Sequence, residues 1–419
     1  MSQHVIVIGA GIVGASTALW LLRSGFRVTV VDRAGWASGT SHGNGGVLAS
    51  CAMVPVTGPG LIRKAPGMLL DPDYPLFLRW SYLPRLMPWL RQYLHHANDA
   101  DTRRIATGLA GIVGDSLAQH RALAAGTAAE KYVVESDYSY AYRSRAGFEA
   151  DAYSWGLRAE HGFTPVIRQG ATAREFEPSL APDIDCLATM RDHGHITDPG
   201  GYVRALGAEV ARLGGTFCMA EVKDVVLSDD RFTAVRTNQG DIGGDLAVLT
   251  TGVWSKPLLR KLGIDVPLET ERGYHIVFKG AKGGPRHPIM VASGKFVATP
   301  MADGLRCAGI VEFGGLDAGP SKAPFALLRR QAKAAFPNMT WEDEVEWQGH
   351  RPATADSLPL IGQVRDTGVF VGFGHHHIGL TAGPKTGRLL AQLIGHQPPN
   401  IDLSPYDPMR FPAAKKHFA

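Results

Sequence analysis

The sequence predicts an α/β fold, α+β overall, in which a parallel sheet flanked by helices adjoins a second region of antiparallel strands and helices. Three observations predict it: a strand–helix–strand pattern over residues 4–32, a buried strand that runs into a small-residue turn over residues 246–255, and alternating strand patterns between about 256 and 345. The 419 residues, of which 45% are hydrophobic, suffice for one large or two ordinary domains with a packed core.

The first elements form a βαβ unit. His4–Ile8 is a β-branched run typical of a buried strand, a glycine-rich turn follows at Gly9–Gly14, residues 15–23 supply a helix, and Arg27–Val31 forms the next strand.

The glycine spacing in this unit points to a bound dinucleotide. Gly9 permits the tight turn, Gly11 lets the backbone approach a pyrophosphate, and Gly14 lets the helix lie close to the sheet with its positive end toward phosphate. Asp32, at the end of the second strand, can accept hydrogen bonds from a ribose. The pattern predicts a Rossmann-like site for an ADP-containing cofactor, and a chance glycine-rich turn is the alternative.

The segment Ser38–Gly46 is too small and flexible to form a core, so we expect a loop wrapped on the ligand. Its backbone N–H groups and hydroxyls suit the phosphates and ribityl chain of a flavin, whereas the alternative is a plain surface linker. A covalent flavin bond to His42 is not favoured.

Helical stretches dominate from about 75 to 160, interrupted by the strand pattern Tyr138–Arg143. Residues 198–213 predict a helix ended by Gly214 and Gly215, and residues 216–226 and 234–237 predict strands.

The remaining chain returns to the sheet. Asp303–Gly304 marks a hairpin between residues 296–300 and 305–311, Val369–Phe373 predicts a buried strand, and residues 379–394 predict a helix. We therefore expect a discontinuous nucleotide-binding domain, with the substrate domain inserted in it. The predicted boundaries are 1–74, 190–255 and 346–419 for the nucleotide-binding domain, and 75–189 and 256–345 for the substrate domain.

Composition excludes several classes of protein. A net charge of +4 with no basic run argues against a nucleic-acid partner. The four cysteines contain no C-x-x-C pair, which argues against a zinc site and a disulfide framework and favours the cytosol. No signal peptide or membrane-spanning run is evident. Tyr74–Leu94 is the one stretch that could contact the inner face of a membrane, although core packing or a lid is the stronger interpretation because three prolines break it.

Two C-terminal segments carry a family resemblance. Gly349–Gly362 reads GHRPATADSLPLIG and Gly374–Gly387 reads GHHHIGLTAGPKTG. With the N-terminal fingerprint, they resemble the flavin amine-oxidoreductase (DAO) superfamily of D-amino acid dehydrogenase, glycine oxidase and sarcosine oxidase, and most of all D-amino acid dehydrogenase. The resemblance implies FAD as the cofactor.

Residues that would contact FAD come from the two ends and the middle of the chain. They are Gly9, Gly11, Ile12, Val13, Gly14, Asp32, Arg33, Thr40, Ser41, Asn44, Gly45, Gly46, Val222, Thr251, Gly252, Gly349, Gly379, Leu380 and Thr381. The positive end of the helix beginning near Gly379 could stabilise the charge of a reduced flavin.

The resemblance also implies substrate contacts. Arg351 matches the arginine with which glycine oxidase-like members bind a carboxylate, and a structural arginine paired with Asp356 or an internal carbonyl is the alternative. Tyr274 could donate to the same carboxylate or merely pack in the core. Arg306 could be a second carboxylate partner or lie on a solvated strand face, and His376 or His377 could face the flavin. No metal site is expected from His375–His377, because consecutive side chains point in different directions.

The expected reaction is oxidation of a C–N bond in a D-amino acid or small secondary amino acid, as in amino acid catabolism, with hydride transfer from Cα to flavin N5. The resulting imine would hydrolyse to a 2-oxo acid or stay cyclic. The resemblance favours a dehydrogenase that passes electrons to a quinone or a carrier protein. The alternatives are an oxidase of glycine, sarcosine or cyclic D-proline-type substrates that uses O₂, and a non-catalytic flavin-binding subunit.

Overall fold

The computed structural model describes residues 2–411. The helices are α1 Ile12–Arg23, α2 Leu61–Leu70, α3 Leu83–His95, α4 Asp99–Val113, α5 Ser116–Ala124, α6 Arg145–Glu149, α7 Ala152–Glu160, α8 Ala171–Phe176, α9 Pro199–Arg212, α10 Ser255–Lys261, α11 Lys322–Ala335 and α12 Gly379–Ile394. The strands are β1 His4–Ile8, β2 Arg27–Asp32, β3 Val47–Leu48, β4 Leu76–Leu78, β5 Val133–Tyr142, β6 Val166–Gln169, β7 Cys186–Ile196, β8 Thr216–Met219, β9 Val222–Ser228, β10 Arg231–Thr237, β11 Gly240–Gly243, β12 Leu246–Leu249, β13 Leu268–Lys279, β14 Ile289–Val291, β15 Phe296–Met301, β16 Gly304–Phe313, β17 Asp343–Thr354, β18 Leu360–Gln363 and β19 Val369–Phe373.

A six-stranded sheet forms the first layer, in the order β18-β19-β12-β1-β2-β8. All neighbours are parallel except the edge strand β18, which runs antiparallel to β19. The strands are rich in valine and isoleucine because both faces of the sheet are covered. This sheet and its helices confirm the predicted Rossmann-like α/β region.

Helices α1 and α12 pack closely on one face of this sheet. A Cβ added to Gly387 would lie 2.6 Å from the backbone of Ser16 and Thr17, and one added to Gly383 would lie 2.7 Å from the side chain of Ile12. Glycine at these positions therefore lets the two helices approach until their N-termini lie at the same edge of the sheet.

A ten-stranded sheet forms the second layer, in the order β17-β13-β16-β15-β14-β5-β7-β3, with β4 paired to β16 and β6 to β7. Its longest ladder joins β13 and β17, antiparallel over all twelve residues of each strand. The predicted hairpin at Asp303–Gly304 joins β15 and β16. A separate three-stranded meander contains β9, β10 and β11.

Two expected elements differ in detail from the structure, and the expected domain boundaries stay open. The single strand expected over residues 216–226 is two strands in different sheets, since β8 pairs β2 whereas β9 pairs β10. Tyr74–Leu94 includes the strand β4, and α3 continues through Pro88 because it buries Leu86, Trp89 and Tyr93. The domain boundaries stay a prediction, although β17 begins before residue 346 and belongs to the ten-stranded sheet.

Candidate active site

The two large sheets face a cavity of about 1090 Å³, slightly above the usual range for ligand sites, roughly 300–1,000 Å³. One wall consists of the carboxyl ends of β1, β2 and β12 and the N-termini of α1 and α12. The opposite wall is a face of the ten-stranded sheet. This is the position at which open α/β sheets bind their ligands.

Most residues predicted to hold the cofactor line this cavity. They are Gly9, Gly11, Ile12, Val13, Asp32, Arg33, Thr40, Ser41, Asn44, Gly45, Val222, Thr251, Gly252, Gly349, Gly379, Leu380 and Thr381. Gly14 and Gly46 lie behind the wall. A Cβ on Gly14 would lie 1.8 Å from the Gly9 carbonyl oxygen, and one on Gly46 would lie 2.7 Å from Met301. Both glycines therefore shape the wall rather than face the cavity.

The N-terminus of α1 is suited to a pyrophosphate. No side chain caps the helix at Gly11, and no acidic residue lies in its first turn. Only the Ile12 amide is met by a side chain there, through the Ser41 hydroxyl at 2.9 Å. Free N–H groups and the positive end of the helix dipole favour an anion at this point.

Asp32 lies at the end of β2, where the ribose of an ADP group would be held. Its Oδ2 accepts from the Ala10 amide at 2.9 Å, and its Oδ1 accepts from the amides of Ala34 at 2.8 Å and Gly35 at 3.1 Å. These bonds fix the carboxylate at the cavity edge, and Oδ2 retains a lone pair for a hydroxyl.

Sequence reasoning predicted Arg33 near this end of the cavity but missed three neighbouring residues, Trp254, Glu221 and Lys223. The Arg33 guanidinium stacks on Trp254 at 4.4 Å from the ring centroid, and all three missed residues line the wall. Trp254 follows the small-residue turn after β12, and this position in the sequence could have identified it as a cavity residue.

The N-terminus of α12 likewise has neither a side-chain cap nor an acidic residue in its first turn. Pro384 lies inside the helix and has no N–H, so the Leu380 carbonyl lacks its intrahelical donor. His120 Nε2, at 3.0 Å, supplies a donor instead, and the Tyr202 hydroxyl lies 3.0 Å from His120 Nδ1. The Ser116 hydroxyl donates to the Thr381 carbonyl at 2.8 Å. Sequence reasoning missed this support because α5 is remote in sequence.

The loop Ser38–Gly46 is fastened to the ten-stranded sheet. His275 Nδ1 lies 2.9 Å from the Gly43 carbonyl oxygen and its ring stacks on Trp347. Burial and the charge of Arg306 lower the pKa of His275 to about 3, so His275 is a neutral donor. A Cβ on Gly43 would lie 2.1 Å from the Trp347 ring. The loop therefore passes close to the sheet and lines the cavity.

Arg306 lies elsewhere than expected. It does not line the cavity; its guanidinium donates to the carbonyls of His42 at 3.0 Å and Asn44 at 2.7 Å. Burial lowers the pKa of Arg306 to about 10. This placement supports a structural role in holding the loop and does not support a second carboxylate partner.

Tyr274 borders the cavity, but its hydroxyl group is already engaged with other protein groups. Its hydroxyl donates to Glu312 and accepts from the Ser321 amide at 3.1 Å, while Arg272 lies 3.2 Å from the same carboxylate. The side chain is 1% exposed and packs among core residues. This geometry corresponds to the core-packing alternative, and the carboxylate role for Tyr274 lacks support.

Arg351 lies on the cavity wall, on β17. Its guanidinium crosses β13 above Gly273, and a Cβ added to Gly273 would lie 2.6 Å from Cζ of Arg351. Nη1 of Arg351 donates to the Ile310 carbonyl at 3.3 Å. Burial lowers the pKa of Arg351, and the charge of Glu271 opposes this shift. Of the two partners in the structural alternative, Asp356 is paired with Arg410, whereas the Ile310 carbonyl is an internal carbonyl of the expected kind and takes one of the Arg351 donors. Arg351 thus presents a guanidinium to the cavity.

Glu271 is a cavity residue that sequence reasoning missed. It lies on β13 directly opposite Arg351, is 7% exposed, and has Oε1 3.7 Å from His376 Nδ1. Burial raises the pKa of Glu271, but the interactions with nearby His376 and with the charge of Arg351 outweigh burial, so the pKa is lowered. The carboxylate is therefore ionised.

The three consecutive histidines diverge. His375 Nε2 lies 2.9 Å from the Thr386 hydroxyl, and His376 Nε2 lies 3.0 Å from the Thr354 carbonyl oxygen. His377 is exposed and lines the cavity beside α12. The rings thus do not share one ligand position.

The part of the cavity wall formed by α2, β4 and α3 is apolar, with α2 contributing Leu61, Ala65, Met68 and Leu69. Because no residue of α2 is buried, we assign this part of the wall as the cavity mouth. Val56, Ile62, Leu70 and Trp80 are exposed on the same part of the chain. No helix within residues 2–411 has the length and hydropathy of a membrane span.

Comparison with known proteins agrees with this geometry. A family model described as FAD dependent oxidoreductase (DAO) matches residues 4–393. D-amino-acid oxidase of Bradyrhizobium diazoefficiens is 37% identical, covering 98% of this chain and 99% of that protein. D-amino acid dehydrogenase 2 of Pseudomonas aeruginosa is 32% identical, covering 96% and 97%. The crystal structure of glycine oxidase from Geobacillus kaustophilus shares the fold with a TM-score of 0.72 at 20% identity, covering 98% and 100% of the two chains.

The predicted resemblance and the predicted cofactor are thereby confirmed. The match to the family model spans both sheets and the cavity between them. The chain belongs to the family of FAD dependent oxidoreductases and is an FAD-dependent enzyme.

Proposed function

We propose that this enzyme oxidises the Cα–N bond of an α-amino acid, with D-amino acids as the preferred class. The observation that carries the proposal is the Arg351 guanidinium on the cavity wall, which has no carboxylate within 4.0 Å in the described part of the chain. A planar guanidinium binds a carboxylate through two parallel hydrogen bonds. The names of the two relatives, D-amino-acid oxidase and D-amino acid dehydrogenase 2, support the same substrate class.

Bound FAD would supply the two-electron acceptor, taking the Cα hydride at flavin N5. The residues that would hold it are the cavity-lining set named above, with the N-terminus of α1 at the pyrophosphate, Asp32 at the ribose, and the loop Ser38–Gly46 along the ribityl chain.

The protein's own residues have three tasks in this proposal. Arg351 binds and orients the substrate carboxylate, so that Cα is presented in one geometry. The positive end of α12 stabilises negative charge that develops at its N-terminus. The apolar mouth formed by α2 and α3 limits the entry of water.

The substrate is expected to lose its amine proton before oxidation, and the imine product then hydrolyses to a 2-oxo acid or stays cyclic for a proline-type substrate. Electrons pass from the reduced enzyme to a quinone or another carrier in the dehydrogenase form of the proposal. Direct use of O₂ is the second candidate, favoured by the 37% identity to a protein named D-amino-acid oxidase.

Peripheral contact with a membrane surface belongs to the same proposal. The exposed apolar side chains lie on residues 56–80, at the cavity mouth, rather than along the whole of the segment 74–94. Arg63 and Lys64 on α2 would favour an anionic surface.

Anaerobic bleaching of the yellow holoenzyme tests the function. D-alanine, D-proline, cis-4-hydroxy-D-proline, glycine and sarcosine are mixed singly with the enzyme, and absorbance in the visible is followed, first without and then with air. Rapid bleaching by a D-amino acid supports the proposal, and reoxidation in air distinguishes the oxidase from the dehydrogenase. No bleaching by any amino acid would instead favour a non-catalytic flavin-binding subunit.

A further inference from the structure

A charged pair of opposite sign lies on the cavity wall. Glu271 and Arg351 are direct cross-strand partners on β13 and β17, and both line the cavity. Directly opposed residues of an antiparallel ladder project from the same face of the sheet. The cavity therefore has an anion and a cation side by side on one wall.

These two groups do not neutralise each other by direct contact. The Arg351 guanidinium extends over Gly273, two residues beyond Glu271 on β13, and donates to the Ile310 carbonyl. No nitrogen of Arg351 lies within 4.0 Å of a carboxylate oxygen among residues 2–411. The offset along β13 is about 7 Å, since two residues of a strand span that distance.

His376 compensates Glu271 only in part. The Thr354 carbonyl can only accept, so His376 Nε2, at 3.0 Å, carries a proton. His376 Nδ1 lies 3.7 Å from Glu271 Oε1, a distance longer than a normal hydrogen bond. A carboxylate that is 7% exposed and has only this distant partner among residues 2–411 gains from a ligand that supplies a closer donor.

We propose that Glu271 binds the ammonium group of the substrate while Arg351 binds its carboxylate. The zwitterion of an α-amino acid carries its two charges about 3 Å apart, and with a hydrogen bond of about 2.8 Å at each end it can bridge groups up to about 8.6 Å apart, which covers an offset of about 7 Å. The pair is thus a receptor for a zwitterion and discriminates amino acids from simple carboxylic and 2-hydroxy acids. This inference rests on the proposed function and adds a specificity-determining residue to it.

The test uses two ligands of the same shape. 2-Aminoisobutyrate has no hydrogen on Cα and resists oxidation, and pivalate replaces its ammonium group with a methyl group. Each is titrated into the FAD-loaded enzyme, and the dissociation constant is taken from the change in the visible flavin spectrum. Wild type, Glu271→Gln, Glu271→Asp and Arg351→Met are compared.

We expect wild type to bind 2-aminoisobutyrate more tightly than pivalate. Glu271→Gln should weaken 2-aminoisobutyrate at least about tenfold, because a charge-assisted hydrogen bond is lost, and leave pivalate unchanged or tighter. Glu271→Asp should retain part of the preference, and Arg351→Met should weaken both ligands.

Equal weakening of both ligands by Glu271→Gln would overturn the proposal, because a merely structural carboxylate does not distinguish ammonium from methyl. Failure of both Glu271 variants to fold with FAD would also count against it. If neither ligand changes the wild-type flavin spectrum and no amino acid bleaches it, the proposed function itself fails. If wild type prefers 2-aminoisobutyrate and Glu271→Gln retains that preference, only the role of Glu271 fails.

Discussion

Replacing His120 with leucine tests whether a remote side chain fixes the N-terminus of α12. The substitution removes the donor to the Leu380 carbonyl, which Pro384 deprives of its helical partner, and the acceptor for the Tyr202 hydroxyl. Both His120 and Tyr202 are 0% exposed, so water does not replace either bond.

Each buried group left without a partner costs about 1–3 kcal/mol. Two such groups should lower the free energy of unfolding by about 2–4 kcal/mol, since leucine recovers part of the loss by apolar burial. The matched control is His120→Gln, whose amide can donate to Leu380 and accept from Tyr202, and which should retain most of the stability.

Urea unfolding of the FAD-loaded protein, followed by tryptophan fluorescence, measures these differences. The flavin reduction potential gives a second readout, because a displaced α12 should stabilise the reduced flavin less. The reasoning is refuted if His120→Leu unfolds within about 0.5 kcal/mol of wild type, or if His120→Gln is as damaging as His120→Leu.

Two further variants probe the cavity walls. Arg351→Ala should retain FAD but lower kcat/KM for an amino acid roughly 10- to 150-fold, because hydrogen bonds to charged groups contribute about 1.5–3 kcal/mol; unchanged steady-state kinetics would contradict the carboxylate role. Gly387→Ala should lower stability by about 1–3 kcal/mol and weaken FAD retention, since the added Cβ meets the Ser16 backbone at 2.6 Å. Gly156→Ala is the matched control, because a Cβ added to Gly156 would meet no atom within 4 Å. Thermal melts and FAD content are measured for both glycine variants, and equal values for Gly387→Ala and Gly156→Ala would rule out the packing argument.

The cofactor half of the site could be predicted because its chemistry lies in short contiguous segments. The glycines of residues 9–14 and Asp32 serve one turn and one strand end, so their spacing along the chain fixes their spacing in space. The same holds for residues 374–381, where the loop runs directly into α12.

The substrate half could not be predicted in the same way, because it depends on which strands become neighbours. Glu271 and Arg351 are 80 positions apart and face each other only through the register of β13 and β17. Tyr274 and Arg306 could each donate a hydrogen bond to a substrate carboxylate. The Tyr274 hydroxyl, however, donates to Glu312, and the Arg306 guanidinium donates to the His42 carbonyl. Residue type thus predicts candidate substrate-binding residues, and packing determines which of them keep hydrogen-bond donors that other protein groups do not already occupy.

Buried histidines make the stability of the fold sensitive to acid. Burial lowers the pKa of His120 to about 4, of His195 to about 4, and of His375 to about 3. Because the folded-state pKa lies below the unfolded value of about 6.5, the unfolded chain binds protons first as the pH falls.

The contribution of these histidines is therefore fully present above pH 6.5 and is lost progressively as the pH falls from 6.5 to about 4 for His120 and His195, and to about 3 for His375. At pH 5 a histidine with a folded pKa of about 4 costs about 2 kcal/mol relative to pH 7. The free energy of unfolding, measured in urea from pH 7.5 to 5, should fall steeply. His120→Gln should make this pH dependence shallower, because one proton fewer is taken up on unfolding. A stability that stays level from pH 7 to pH 5 would mean that these rings are solvated or already charged in the folded protein, and would remove the basis for treating His120 as a neutral donor to α12.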